Sequence, residues 1–319
     1  MMMSTAPAAG STPLVSAVIC TRNRGDSVSG TVETLLANTY PNFELLVIDQ
    51  SSDNRTAQAL APFSGDARLR YIQTSTKGVG LARNIGLNEA RAEFVLMTDD
   101  DCIIPADWMT QMVTALQQFP DVAVVFCDVL AAPHDPRAGF VPATMVRENR
   151  LITGLWSWCA AGASDVGLGA GMALRRSLVQ SVGGIDAYLG SGGHFRSGWE
   201  TDVALRVLLH GYQIYRTNRV SVLHYGFRTH EQGRTLIRRY TFGTAAAYGK
   251  LFRCGYRRLF PVFLFEIWKT LLKPTAKHLL RLRKPPVLGR AVSLLQGFSQ
   301  GWRARIDRTR EVFQIQATS

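Results

Sequence analysis

The sequence contains no CxxC pair. Its five cysteines, Cys20, Cys102, Cys127, Cys159 and Cys254, are scattered and odd in number. That spacing argues against a disulfide framework or a cysteine zinc site, and it fits a reducing cytosol. A signal peptide is missing too. "MMMSTAPAAGSTP" has neither a basic start nor an apolar centre, so residues 1–13 read as a disordered lead-in. A dense apolar run, "LFPVFLFEIWKTLLK" (259–273), holds only twelve residues between Pro261 and Pro274. Crossing a bilayer takes about 20. Acids are scarce in the last third. From Arg228 onward 19 Lys and Arg face four Asp and Glu, whereas the rest of the chain has 17 against 20. A slightly acidic body thus carries a strongly basic end. This is either a solvated helix face or a surface for something anionic, membrane or nucleic acid.

What is present is a chain of 319 residues, 46% of them hydrophobic, enough for one large domain with appendages. "LVSAVICT" (14–21), "FELLVIDQSSD" (43–53), "RLRYIQT" (68–74) and "AEFVLMTDDD" (92–101) are apolar runs ending in polar turn formers. Helix-like segments lie between them, at 27–38, 56–63 and 80–90. Strand–helix alternation with near-continuous apolar strands predicts an α/β fold: a Rossmann-like, mostly parallel twisted sheet with helices on both faces. In such sheets ligands bind beyond the carboxyl ends of the strands. An amphipathic helix over 107–119 and a strand over 122–132 follow. Residues 133–165 read as irregular, 167–184 as a glycine-bounded strand and short helix, 191–212 as a glycine-rich loop and helix, and 213–226 as one or two short strands.

Asp99, Asp100 and Asp101 stand at the end of the fourth apolar run. Three adjacent carboxylates repel and are costly to bury. A helix N-cap needs only one acid, and Asp107 stands nearer the next helix. Hard oxygen ligands at a strand end suit Mg²⁺ or Mn²⁺, which commonly bridges phosphates. The triplet therefore implies a phosphorylated, nucleotide-like substrate.

Six motifs in order, "VSAVICTRNR", "LLVIDQSSD", "KGVGLARNIGL", "MTDDDCIIP", "GAGMALRR" and "GWETDVALRVLLHGY", resemble the inverting family 2 glycosyltransferases of the glycosyltransferase-A fold. The resemblance spans about residues 14–230. It implies a nucleotide-binding half at about 14–102 and an acceptor half at about 103–230; beyond it, the basic and amphipathic residues 231–319 read as a helical extension. By this resemblance Thr21, Arg22, Asn23 and Asp49 contact the base, and a carboxylate at Asp49 suits the imide N–H of uracil. Gln50 stands where a second acid is usual. Arg83 and Asn84 open a helix facing the nucleotide. Asp101 is the direct metal ligand, Asp99 meets the ribose or donor sugar and belongs to the DxD pair, and Asp100 shares either task. His224 completes the metal shell, or is simply structural.

An inverting transfer needs a base on the acceptor hydroxyl. The family's acidic helix start reads "GWETDVALR" here, with Trp199 in place of the usual first acid. Glu200 is the first candidate for the base and Asp202 the second. Gly169 and Gly171 resemble the acceptor strand, where small residues leave room for a sugar. Trp199, Trp156 and Trp158 either stack on sugars or belong to the core. Arg234, Arg238 and Arg239 resemble the basic segment that closes over a pyrophosphate.

The expectation is a metal-dependent inverting glycosyltransferase. It uses a nucleotide-diphosphate sugar, UDP-linked by preference, and a glycan or lipid-linked acceptor in cell-envelope or polysaccharide synthesis. The basic end then lies on an anionic membrane, as a peripheral protein of the cytoplasmic face. Two alternatives are a nucleic-acid-binding protein using the basic third and a catalytically silent scaffold. The acidic strand ends repel phosphate backbones, so no nucleic acid is expected as partner.

Overall fold

The structure is a computed structural model and describes residues 12–145, 148–280 and 287–314. Most of the lead-in, and residues 281–286 of the basic tail, lie outside the described residues.

The apolar runs form β1 (Val15–Thr21), β2 (Phe43–Asp49), β3 (Leu69–Gln73) and β4 (Phe94–Asp99), with helices α1 (Gly25–Leu36), α2 (Arg55–Leu60) and α3 (Val79–Glu89) between them. All seven residues of β2 are buried, as a strand covered on both faces requires. Its one interior acid, Glu44, is tied by the Ser16 hydroxyl at 2.7 Å and by Arg70 at 2.8 Å. Next come β5 (Cys102–Ile103), α4 (Trp108–Gln118) and β6 (Val122–Ala131). The stretch expected to be irregular holds β7 (Gly139–Phe140), β8 (Arg150–Ile152) and α5 (Leu155–Ala160). Then follow β9 (Met172–Arg175), α6 (Arg176–Ser181), α7 (Trp199–Leu209) and β10 (Gln213–His224).

The main sheet runs β3-β2-β1-β4-β9-β6-β10-β5, with β8 also on β10. It is mostly parallel: β1 pairs β2 and β4, β2 pairs β3, and β6 pairs β10 in that sense. The short β9 runs antiparallel to both β4 and β6. Of the one or two short strands expected over 213–226, there is a single strand, whose register shifts between Thr217 and Ser221. Strand order reverses direction between β1 and β4, so a crevice opens where Thr21 and Asp99 end their strands. On one face Val18, Leu46 and Met97 pack with α3, α6 and α7. On the other Ala17, Leu45 and Leu96 pack with α1 and α4.

After β11 (Arg228–Thr229) comes α8 (His230–Arg253), started by a capping box between Thr229 and Gln232. The chain continues through α9 (Phe260–Ile267), a π-helical turn (Trp268–Leu272), α10 (Lys273–Leu280), α11 (Val287–Arg303) and the hairpin β12 (Ile306–Asp307) and β13 (Val312–Phe313). α11 lies flat on α8 at glycines: a Cβ at Gly297 would sit 2.1 Å from the Phe242 carbonyl oxygen. The Phe313 amide donates to Asp186 at 2.8 Å, so the chain end is fastened to the body. Among the described residues no helix is long and apolar enough to cross a membrane.

Candidate active site

The acid triplet forms a corner that β5 closes. Antiparallel pairing of Cys102 with His224 sets His224 beside Asp101, although 122 residues separate those two in the chain. Ligand atoms of Asp99, Asp101 and His224 lie within 4.8 Å of one another. His224 Nδ1 is 2.9 Å from the Pro142 carbonyl, which turns Nε2 toward Asp101 Oδ1 at 3.3 Å. Asp101 Oδ1 is buried and makes no hydrogen bond. An orphaned carboxylate oxygen beside an imidazole and a second carboxylate fits a divalent cation.

The remaining charge is balanced within the chain. Arg24 pairs with Asp100 at 2.9 Å and with Asp101. Thr21 donates to Asp100 at 2.6 Å. Burial alone would raise the Asp101 carboxyl, but His224 and Arg24 outweigh it and hold it well below the usual range. Asp100 is pushed up to about 6, because burial there exceeds the pull of Arg24 and Thr21. For His224 burial works to lower the pKa, and the Asp101 carboxylate overrides it to give a net rise.

Arg83 forms the opposite wall. It donates to Asp99 at 2.6 Å and to the Gly169 carbonyl at 3.2 Å, and its guanidinium lies 4.4 Å from the centre of a Trp199 ring. Gln50 binds the backbone of Gly78, accepting from its N–H and donating to its carbonyl, both at 3.1 Å. Gly78 has φ +114°, a conformation that favours glycine. The cleft so bounded has a volume of about 330 Å³.

Glu200 is the second residue of α7 and lines this cleft. Burial pushes its carboxyl up to about 7, against the opposing pull of nearby backbone N–H groups and Arg83. The same side chain also lines a second cavity of about 590 Å³. It stands at the junction of the two.

A sequence profile described as Glycosyl transferase family 2 matches residues 16–137. These residues carry a glycosyltransferase family 2 domain. The chain is 25% identical over 193 residues to the glucosyl-dolichyl phosphate glucuronosyltransferase of Haloferax volcanii, covering 56% of this chain and 58% of that protein. It is 28% identical over 157 residues to the uncharacterized glycosyltransferase YibD of Escherichia coli, covering 49% of this chain and 45% of that protein. So the chain spans about half the length of these curated relatives. Among solved structures, the mannosyltransferase PcManGT from Pyrobaculum calidifontis, in complex with GDP-Man and Mn²⁺, has a TM-score of 0.62 at 19% identity. That alignment covers 97% of this chain and 81% of PcManGT. S. aureus TarS 1–349 in complex with UDP-GlcNAc has a TM-score of 0.55 at 15% identity, covering 90% of each chain. At these identities the likeness is one of fold, the glycosyltransferase-A fold.

The cleft gathers some of the predicted residues and not others. Thr21, Arg22, Arg83, Asp99, Asp100, Asp101, Gly169, Trp199, Glu200 and His224 line it. Asp49 does not: it is fully buried, and its oxygens accept from the Ser51 amide and the Tyr71 hydroxyl. Asn23 turns away at φ +54° and receives the Ser52 amide. Asn84 pins the chain at Ile185, exchanging hydrogen bonds with its N–H and C=O. Asp202 is fully buried between Arg206 and Lys250, out of reach of either cavity. Gly169 makes room for Trp199, whose ring would lie 2.3 Å from a Cβ there. Gly171 is a sheet-packing glycine against Cys127. Arg234, Arg238 and Arg239 are exposed on α8 and line neither cavity. Trp156 is 79% exposed away from the cleft, and Trp158 is core.

Arg24, Arg228 and Tyr240 are among the cleft residues to which the sequence analysis assigned no role. Arg24 does follow a strand end, which is the available signal. Tyr240 lies four residues after Leu236, on the same inner stripe of α8.

Proposed function

We propose that the chain is a metal-dependent inverting glycosyltransferase. It moves a sugar from a nucleoside diphosphate donor to a hydroxyl of a glycan or lipid-linked acceptor. The observation that carries this is one cleft holding both a cation-ready corner and Glu200, an acid held near neutrality. Asp99, Asp101 and His224 would hold the divalent cation, Mn²⁺ or Mg²⁺, which when bound offsets the charge of the leaving diphosphate. Arg22, Arg24 and Arg228 add positive charge along the same wall. Glu200 accepts the proton of the acceptor hydroxyl while that oxygen attacks the anomeric carbon. The bonding pair leaves with the diphosphate, and attack from the opposite face inverts the centre. A pKa near 7 suits a base working near neutral pH.

A UDP-sugar is the first donor to test, but Asp49 cannot read the base where it lies, and Gln50 is the neighbour that faces the cleft. In this reading residues 14–230 are the catalytic body and 231–319 an extension that meets an anionic membrane at its cytoplasmic face, in cell-envelope or polysaccharide synthesis. Exposed Phe260, Leu264, Trp268 and Leu272 beside Lys273 support that contact.

The test is release of nucleoside diphosphate from UDP- and GDP-sugars by the full chain. Turnover is expected with Mn²⁺ or Mg²⁺ and not in excess EDTA. Equal turnover in EDTA would overturn the metal-dependent reading.

A further inference from the structure

The cavity beyond Glu200 differs in chemistry from the donor cleft. The cleft is crowded with carboxylates and guanidinium groups. The larger cavity is walled by Phe140, Leu168, Leu236, Ile237, Phe263 and Leu294, with the hydroxyl residues Thr144, Ser197, Thr201, Tyr240, Thr241, Thr244, Tyr248 and Thr270 set between them. Its charged residues other than Glu200 balance: Asp165 and Glu266 against Lys269 and Arg290. Lys269 lies 3.3 Å from Asp165 and 3.2 Å from Glu266, so its charge is met inside the chain. The cavity therefore offers no surplus positive charge for a phosphate, and its hydroxyl groups stand among apolar walls. Its volume, about 590 Å³, suits a molecule rather than a few waters.

Its walls come largely from the C-terminal helices. Leu236, Ile237 and Ala245 are on α8, Phe263 is on α9, and Leu294 is on α11. The outer sides of these helices carry exposed Leu264, Trp268, Leu272 and Leu295. One helical layer thus has an apolar outside and an apolar inside, and the inside leads to Glu200.

We infer that this cavity is the acceptor site, and that it takes an acceptor with an uncharged apolar aglycone. The reacting hydroxyl sits at Glu200, and the aglycone runs between α8, α9 and α11. This rests on the glycosyltransferase reading for the role of Glu200. It adds that the extension selects the acceptor, by excluding water from an apolar chain.

Binding tests it without a donor. n-Octyl β-D-glucoside, below its micellar concentration, and methyl β-D-glucoside are titrated into the full chain and followed by calorimetry. Each buried methylene strengthens binding about three- to fourfold. The octyl glycoside should bind at least tenfold more tightly than the methyl one. Ile237→Asp, at a rim residue 36% exposed, should remove that preference. Ala245→Phe, which fills the cavity, should do the same, with circular dichroism confirming the fold. Leu264→Asp, on the outer side, should leave it intact. Equal affinity for the two glycosides would overturn the inference. So would a preference that survives Ile237→Asp and vanishes in Leu264→Asp. If octyl binding holds but no nucleotide sugar is turned over with metal, the glycosyltransferase reading fails while the apolar site stands.

Discussion

Lys250 Nζ lies 2.7 Å from Asp186 Oδ2 and 2.7 Å from Asp202 Oδ1, and all three side chains are fully buried. Arg206 completes the cluster by pairing with Asp202 at 2.9 Å. The cation comes from α8, in the C-terminal extension, and the two acids from the catalytic body. This contact fixes the start of α7, and hence Glu200, against α8, the helix that walls the larger cavity.

Lys250→Met should be strongly destabilising, because it strands two buried carboxylates. Breaking a buried pair by removing one partner costs about 3–5 kcal/mol. Scanning calorimetry should show a clear fall in Tm. An unchanged Tm would mean the cluster is not held as described.

Glu200→Gln should lose about a hundred- to ten-thousand-fold in transfer rate, the usual contribution of a general base. Binding of the donor nucleotide should remain near normal. Asp202→Asn should instead lower stability and leave the rate per folded molecule within about tenfold. A dead but stable Asp202→Asn beside an active Glu200→Gln would move the base to Asp202.

The transfer rate should rise with pH through about 7 and then level, because Glu200 acts as its carboxylate. The same group affects stability with the opposite sense. Its folded pKa of about 7 lies above the ordinary carboxyl value of 4.5, so the folded chain holds the proton more tightly. That contribution is complete below about 4.5 and is lost as pH rises through about 7. Glu200→Gln should therefore lie close to the parent Tm at pH 5 and exceed it by a clearly larger margin at pH 8. A Tm gap that does not change between these pH values would contradict the raised pKa.

Asp101→Ala should abolish metal-dependent nucleotide binding while the fold survives. The readout is calorimetric titration of UDP and GDP with and without Mn²⁺. A metal-dependent gain in affinity that persists in the variant would remove Asp101 from the ligand set.

Flotation with liposomes should carry the protein upward with anionic lipid at low salt, and less at high salt. Trp268→Ser with Leu272→Ser, both exposed, should weaken it. Truncating the extension is a poor substitute, since Phe313 and Lys250 are fastened to the body. A protein that stays in the soluble fraction under every condition sinks the membrane reading.

The sequence by itself determined the alternating α/β sheet and the acid corner. Apolar runs covered on both faces have one packing solution, and Asp99, Asp100 and Asp101 are contiguous, so no long-range contact is needed to bring them together. It could not decide which way single side chains face. Asp49 and Gln50 are neighbours at a strand end, where successive side chains point to opposite sides, and the tertiary packing buried the acid and tied the amide to the Gly78 backbone at the cleft wall. Glu200 and Asp202 are about 200° apart around one helix. Only the arrival of Lys250 from α8 settled that Asp202 is buried as an ion pair and Glu200 is left for the cleft. His224 likewise reaches Asp101 through the pairing of β5 with β10. Local pattern fixes which residues can serve a site; contacts between residues far apart in the chain decide which of them reach it.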